Sequence, residues 1–316
     1  MTHPWVSRAR AGARFSIVGA FLTEFEDVQE LVLGAEDRGF DAYWVNDHPT
    51  RGMDSFTALA ALAMVTSRIG LISLVSCVYY RHPLLIARGA ADVDRLSKGR
   101  FVLGMGVGDD VPEFAQMGLE FPPAAQRHQA LAQAVQVVQG LLTGQPQTGT
   151  ELFPLNEAQL RPGPVQQGGV PLLIGGGGER FTLRQVARFA DISNFGPHEW
   201  VGGAFEPGDV ERKYGVLRGY CDEIGRDYND ILRSHWTPLL TLAPDHARLE
   251  AKRQAARVPD AKLDTRPLFA TPDEAIAHYQ GLQKAGVEYF MATVNGKDAE
   301  TIDLLADKVM PALAGP

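Results

Sequence analysis

Residues 171–196, PLLIGGGGERFTLRQVARFADISNFG, decide how the rest of the chain reads. A short apolar run at 171–174 meets four glycines, Gly175 to Gly178, then an amphipathic helix and a second apolar run at 192–195. Helical periodicity between two short apolar runs marks a strand–helix–strand unit. Glycines lack a Cβ, so the backbone there can turn sharply and approach a ligand closely. A helix opening directly after them aims unpaired N–H groups at that space, which suits a phosphate. The plainer reading is a tight strand-to-helix turn. Glu179 favours the helix dipole but would repel a bound phosphate, so its backbone rather than its carboxylate should face the ligand.

The same alternation extends outward in both directions. Strands are expected at 15–22, 42–45, 69–76, 101–107, 171–174, 192–195, 231–242 and 287–294, with helices between them. Thr23 with Glu26 resembles a capping box, Asp54 or Ser55 caps the next helix, and His82-Pro83 opens another. Thr271, Pro272 and Glu274 start a further helix, and Gly39, Gly99 and Gly286 act as stops. A short excursion at 111–118 precedes a long helix at 125–142. Helices at 210–224 and 299–313 complete the set. Residues 143–170 are rich in Gly, Pro and Gln and read as an insertion with little regular structure. Residues 197–209 form a loop long enough to be a lid. Pro238 is awkward inside the seventh strand.

Eight such units predict a (β/α)8 TIM barrel, one domain over 1–316. Insertions after strands four and six are expected at about 108–124, 143–170 and 197–230. A doubly wound sheet is the rival, but GMGVGDD (104–110) and the glycine run both miss the G-x-G-x-x-G spacing of a dinucleotide site.

Composition bounds the function. The chain has 316 residues, 45% hydrophobic and 22% charged, which suits an ordinary globular protein with a large core. A net charge of −8 argues against nucleic-acid or anionic-membrane partners. Cys77 and Cys221 offer no metal spacing and fit a reducing compartment. The basic N-terminus and the apolar run at 15–22 lead into TEFEDVQE rather than a cleavage site, so no signal peptide is expected. No run approaches the ~18 apolar residues of a membrane span. These points predict a cytoplasmic protein.

A barrel works at the carboxyl ends of its strands. Those ends hold residues 20–22, Asn46-Asp47-His48, Ser76-Cys77, Gly106 and Gly108 to Asp110, the four glycines, and Asn194. His48 can exchange a proton near neutral pH, with Asp47 or Asp109 orienting it or acting as a second acid–base group. Asp109-Asp110 read equally well as caps for the short helix opening at Pro112. His82 reads as a turn residue, His128, His246 and His278 as solvated helix positions, and His198 as part of the lid. No nucleophile elbow or metal-ligand spacing is apparent. The glycines follow strand five, not strands seven and eight, which points away from a sugar-phosphate isomerase.

Three blocks together resemble the luciferase-like family of flavin- and deazaflavin-dependent oxidoreductases. They are GFDAYWVNDH, LISLVSCVYYRHPLLIARGAADVDRLSKGRFVLGMGVG and VPLLIGGGGERFTLRQVARFADISNF. The likeness runs from about Phe15 to Phe195, with an echo in VEYFMATV. It implies the barrel reached independently above. It also implies a non-proline cis peptide behind the flavin ring, matched here to Ser73–Leu74, with Ser76, Gly106 and Gly108 nearby. Asp47-His48 resembles the WxxDH block of the deazaflavin branch, where the histidine handles protons. Asp109 stands where that branch often has glutamate. Gly176, Gly177, Gly178, Glu179 and Arg180 match the loop that holds the cofactor's phosphate.

The block forms are more like members using coenzyme F420, an 8-hydroxy-5-deazaflavin that carries hydride. That implies hydride transfer to or from a small organic substrate. The alternative is an FMN-dependent monooxygenase served by a separate reductase, and a third reading is a barrel that binds flavin without turnover. A homodimer is the family expectation.

Overall fold

The computed structural model describes residues 2–12, 14–199, 202–256 and 266–314. The chain opens with helix α1 (Pro4–Ala11), capped by the His3 ring accepting from Trp5 N at 3.1 Å. It continues through β1 (Phe15–Ala20), α2 (Phe25–Asp37), β2 (Ala42–Val45), α3 (Ser55–Val65), β3 (Gly70–Ser73), β4 (Ser76–Cys77), α4 (Pro83–Leu96) and β5 (Phe101–Gly106). Next come α5 (Val111–Gln116), α6 (Ala124–Leu142), the pair β6 (Gln147–Gly149) and β7 (Pro154–Ala158), β8 (Leu172–Gly175), α7 (Thr182–Phe189) and β9 (Ile192–Phe195). The last part comprises α8 (Pro207–Ile224), β10 (Leu232–Leu242), α9 (His246–Ala256), β11 (Leu268–Ala270), α10 (Pro272–Lys284), β12 (Tyr289–Asn295), α11 (Ala299–Leu304) and α12 (Met310–Leu313).

Eight parallel strands close on themselves in the order β1-β2-β3-β5-β8-β9-β10-β12, and β12 pairs with β1. This is the predicted TIM barrel. Its strands are apolar on both faces because the barrel interior and the helical shell each need filling. Phe15, Ile17, Leu71, Phe101, Leu173 and Phe290 are all fully buried.

Several expectations need correction. Thr23 does not cap α2; Glu24 occupies the cap position and makes no side-chain cap bond. Residues 143–170 are more ordered than their composition implied, since β6 and β7 form an antiparallel hairpin. Residues 246–256 are helical and β11 adds an edge to β10, neither of which the strand count anticipated. Pro238 is accommodated by a register shift against β12 between Thr237 and Leu240. His128 is buried rather than solvated, at 8% exposure.

The third strand is broken. Ile72 faces Val102 and Ser76 faces Met105, so four steps on one strand span three on its neighbour, a one-residue bulge. The cis peptide within it joins Leu74 and Val75, one residue beyond the expected Ser73–Leu74. Glycines make room for this bulge. A Cβ on Gly106 would stand 2.4 Å from Val75 Cγ2, and one on Gly104 would stand 2.0 Å from the Ser73 carbonyl oxygen.

Candidate active site

A cavity of about 710 Å³ opens at the carboxyl ends of the strands, within the size range of cofactor sites. Leu74 and Val75 line it on one side, Gly175 to Arg180 on another, and Trp236 with Thr293 on a third. Ser73 and Ser76 are not among its described lining residues. Both are fully buried in the barrel wall, where Gly104 N donates to Ser73 Oγ at 3.0 Å. Of the residues expected there, Leu74 lines the cavity, and Val75 rather than either serine stands beside it.

His48 follows β2 and lines the cavity. Its Nδ1 lies 2.8 Å from Oε2 of Glu113, a carboxylate with no solvent exposure. Glu113 also accepts from Thr50 N at 3.2 Å, Thr50 Oγ1 at 2.9 Å and Tyr80 OH at 3.1 Å. Burial alone would raise the Glu113 carboxyl. The bonds from His48 and Thr50 outweigh it and hold the group below its ordinary range. Glu113 therefore stays ionised and fixes Nδ1 of His48 as the protonated nitrogen, leaving Nε2 as the ring's other proton site.

Sequence reading passed over Glu113. Its signal was there: Asp110 caps α5 by accepting from Glu113 N at 2.9 Å, and D-x-x-E is a helix-start spacing that places a glutamate one turn in. Asp109 lines the cavity and is exposed, whereas Asp110 serves the helix. Of the two readings of this pair, capping is realised by Asp110.

Asp47 is 5% exposed and committed elsewhere: Ser55 Oγ donates to it at 3.0 Å, and Arg81 bridges it to Asp54. It anchors the end of β2 and so positions His48. Burial pushes the Cys77 thiol up to about 12, which keeps it protonated and rules it out as a nucleophile at neutral pH. Burial, with the hydrogen bond to the Glu113 carboxylate, also raises Tyr80, which remains a neutral donor.

The glycine run forms the strand-to-helix turn of the plainer reading, and α7 opens at Thr182 rather than directly after the glycines. Gly176 has φ 112°, a conformation that a side chain would strain, and its N donates to the Asn194 carbonyl at 2.7 Å. Glu179 lines the cavity and pairs its carboxylate with Arg212 and with Lys213 Nζ at 3.4 Å. Lys213 also donates to the Gly177 carbonyl at 2.9 Å. The loop after β9 rests on this run: a Cβ on Gly202, which has φ 103°, would stand 2.5 Å from Gly177 Cα. Two polar atoms at the cavity wall are buried without partners, Trp44 Nε1 and His128 Nδ1. Burial and neighbouring Arg127 push His128 down to about 4, so it is neutral at pH 7.

His48, Asp110 and Glu113 bring potential ligand atoms within 4.8 Å of one another, a grouping no sequence spacing revealed. Arg51 already holds Asp110, and His48, Thr50 and Tyr80 already hold Glu113. Among the described residues, no helix is long and apolar enough to cross a membrane.

Residues 4–310 match the luciferase-like monooxygenase family, and the chain belongs to it. A 5,10-methylenetetrahydromethanopterin reductase of Archaeoglobus fulgidus is 31% identical, over 92% of this chain and 96% of the relative. An F420-dependent glucose-6-phosphate dehydrogenase of Amycolatopsis mediterranei is 27% identical, over 91% and 94%. A 4-hydroxyprotoasukamycin monooxygenase of Streptomyces nodosus subsp. asukaensis is also 27% identical, over 85% and 80%. The fold matches that of a coenzyme F420-dependent tetrahydromethanopterin reductase from Methanopyrus kandleri, with TM-score 0.79, 22% identity and coverage of 96% of this chain and 100% of that one. The family thus joins F420-dependent enzymes with monooxygenases on one barrel.

Proposed function

We propose that this chain is an oxidoreductase that transfers hydride between coenzyme F420 and a small organic substrate, with His48 managing the accompanying proton. The observation that carries the reading is the His48–Glu113 contact of 2.8 Å at the edge of the cavity. The residues present fit the cofactor. The backbone of the glycine run beyond Gly176, whose N–H is already bound to the Asn194 carbonyl, suits its phosphate, and the unpartnered Trp44 Nε1 offers a donor to a polar ring edge. Relatives named as F420-dependent align over 88–91% of the chain.

When bound, a deazaflavin supplies the hydride. The protein does the rest. Glu113 holds His48 in one tautomer, and Nε2 takes the proton released by a substrate hydroxyl, or returns it when the transfer runs the other way. Leu74 and Val75 keep one wall apolar, and the loop carrying Gly202 covers the glycine run, which restricts water.

A second reading, an FMN monooxygenase served by a reductase, is supported by the likeness to the Streptomyces monooxygenase over 85% of this chain. Separate titrations with F420 and FMN decide between them. The expected result is at least tenfold tighter binding of F420, read from fluorescence quenching. Tighter binding of FMN overturns the first reading. In the F420-loaded enzyme, His48→Ala should slow turnover roughly 10²–10⁴-fold, the range of general acid–base catalysis. Undiminished turnover removes His48 from the mechanism.

A further inference from the structure

The chain between β5 and α6, residues 108–122, carries Glu113 and lines the cavity through Gly108, Asp109 and Phe121. Both of its ends are held by one side chain. Arg127, in the first turn of α6, donates from Nη1 to the Gly108 carbonyl and from Nε to the Pro122 carbonyl, the latter at 3.0 Å. The same guanidinium lies over the Phe121 ring, 4.1 Å from its centroid.

Ring contacts carry this anchorage inward. Phe121 meets Phe114 edge-on at 5.0 Å and 83°, and the fully buried Phe114 packs on Tyr80 at 5.3 Å. Phe114 follows Glu113 on α5, and Tyr80 OH donates to the Glu113 oxygen that also meets His48. Gly108 has φ 74°, and a Cβ there would stand 2.6 Å from Phe114 Cε2, so the first end of the loop fits against the same ring. Helix α5 has six residues, well short of the about 12–15 at which an isolated helix becomes even marginal, so its position depends on its anchors. The pair of Arg51 with Asp110 is a weak anchor, because the Arg51 side chain is half exposed.

We propose that Arg127 is a positioning residue for the His48–Glu113 pair: by tying Gly108 to Pro122 it closes the loop that delivers the Glu113 carboxylate to Nδ1 of His48. This role rests on the reading of that pair as the working proton site. Arginine suits it because a planar fork reaches two carbonyls and still offers its face to Phe121, whereas a lysine ammonium is a single point of charge on a flexible stem.

The test uses the full chain without cofactor, so its outcome does not depend on whether F420 or FMN binds. Nitrogen-15 NMR at about pH 8, where a free imidazole is neutral, reads which ring nitrogen of His48 carries the proton, and His48→Ala identifies the signal. The wild type should be protonated at Nδ1. In Arg127→Ala, and to a smaller extent in Arg127→Lys, the proton should shift towards Nε2, while Gln133→Ala, elsewhere on α6, leaves it in place. Thermolysin should cut within 108–122 at least about tenfold faster in Arg127→Ala, since cleavage follows the population of the open loop. If Arg127→Ala loses its fold by circular dichroism, Arg127→Lys carries both measurements. An unmoved tautomer with faster cleavage means that Glu113 finds His48 unaided and overturns the positioning role. Unmoved cleavage overturns the tie itself, and so does full wild-type behaviour in Arg127→Lys. A wild-type ring protonated at Nε2 overturns the reading of the His48–Glu113 pair as well.

Discussion

Replacing Glu113 by glutamine tests whether this carboxylate and His48 act as one unit. The glutamine keeps the size and one acceptor oxygen but loses the charge facing Nδ1. An exposed ion pair contributes about 0–1 kcal/mol, and a buried hydrogen bond to a charged group about 1.5–3 kcal/mol. The His48 side chain is 34% exposed and that of Glu113 is 0% exposed, so the pair sits between these limits. A coupling of about 1–2 kcal/mol is expected. It would be measured by urea unfolding of the wild type, His48→Ala, Glu113→Gln and the double variant at pH 7. Losses at Thr50 and Tyr80 occur in both Glu113→Gln backgrounds and cancel in the cycle. Glu113 titrates below its unfolded value, so its contribution is present at neutral pH and is lost as the pH falls through the folded value. A coupling below about 0.3 kcal/mol at pH 7, the usual additivity error, would refute the claim that Glu113 works through His48.

Other consequences concern the packing around the site. Burial pushes His235 down to about 4, below a free imidazole, so its neutral form stabilises the fold above about pH 6.5 and that stability is lost as the pH drops towards 4. His235→Leu should therefore reduce the acid loss between pH 7 and pH 4.5 by roughly 2–3 kcal/mol; an identical pH slope in chemical denaturation would disprove it. Arg81→Ala leaves the buried Asp47 charge unpaired and should cost about 3–5 kcal/mol, seen as a fall in Tm, while a loss under 1 kcal/mol would mean Asp47 is readily neutralised. Gly202→Ala drives a Cβ into the Gly177 backbone and should weaken cofactor binding at least tenfold with the fold intact by circular dichroism; unchanged affinity would show that the loop does not brace the glycine run.

Much of the barrel is local information. The strands at 42–45 and 192–195 were legible residue for residue because short apolar runs bounded by turn signals have few other uses. The capping box at Thr271 and Glu274 was equally plain, since both partners lie within one turn. Helix α1 was missed because its residues were weighed only as a targeting segment, although Pro4 at its first turn is a start signal. The bulge in the third strand was displaced by one residue because alternation is invisible in a strand apolar on both faces.

The sequence by itself determined the alternation of strand and helix, the glycine turn after the fifth barrel strand, and His48 at a strand end. Only the tertiary structure decided that Glu113, 65 positions away, would be the partner of His48, and that Asp47 would be spent on Arg81. Backbone periodicity and caps act over a few residues and are written in order along the chain. Partnerships between side chains depend on which strand ends converge at the barrel mouth, and that is fixed only when the last strand closes on the first.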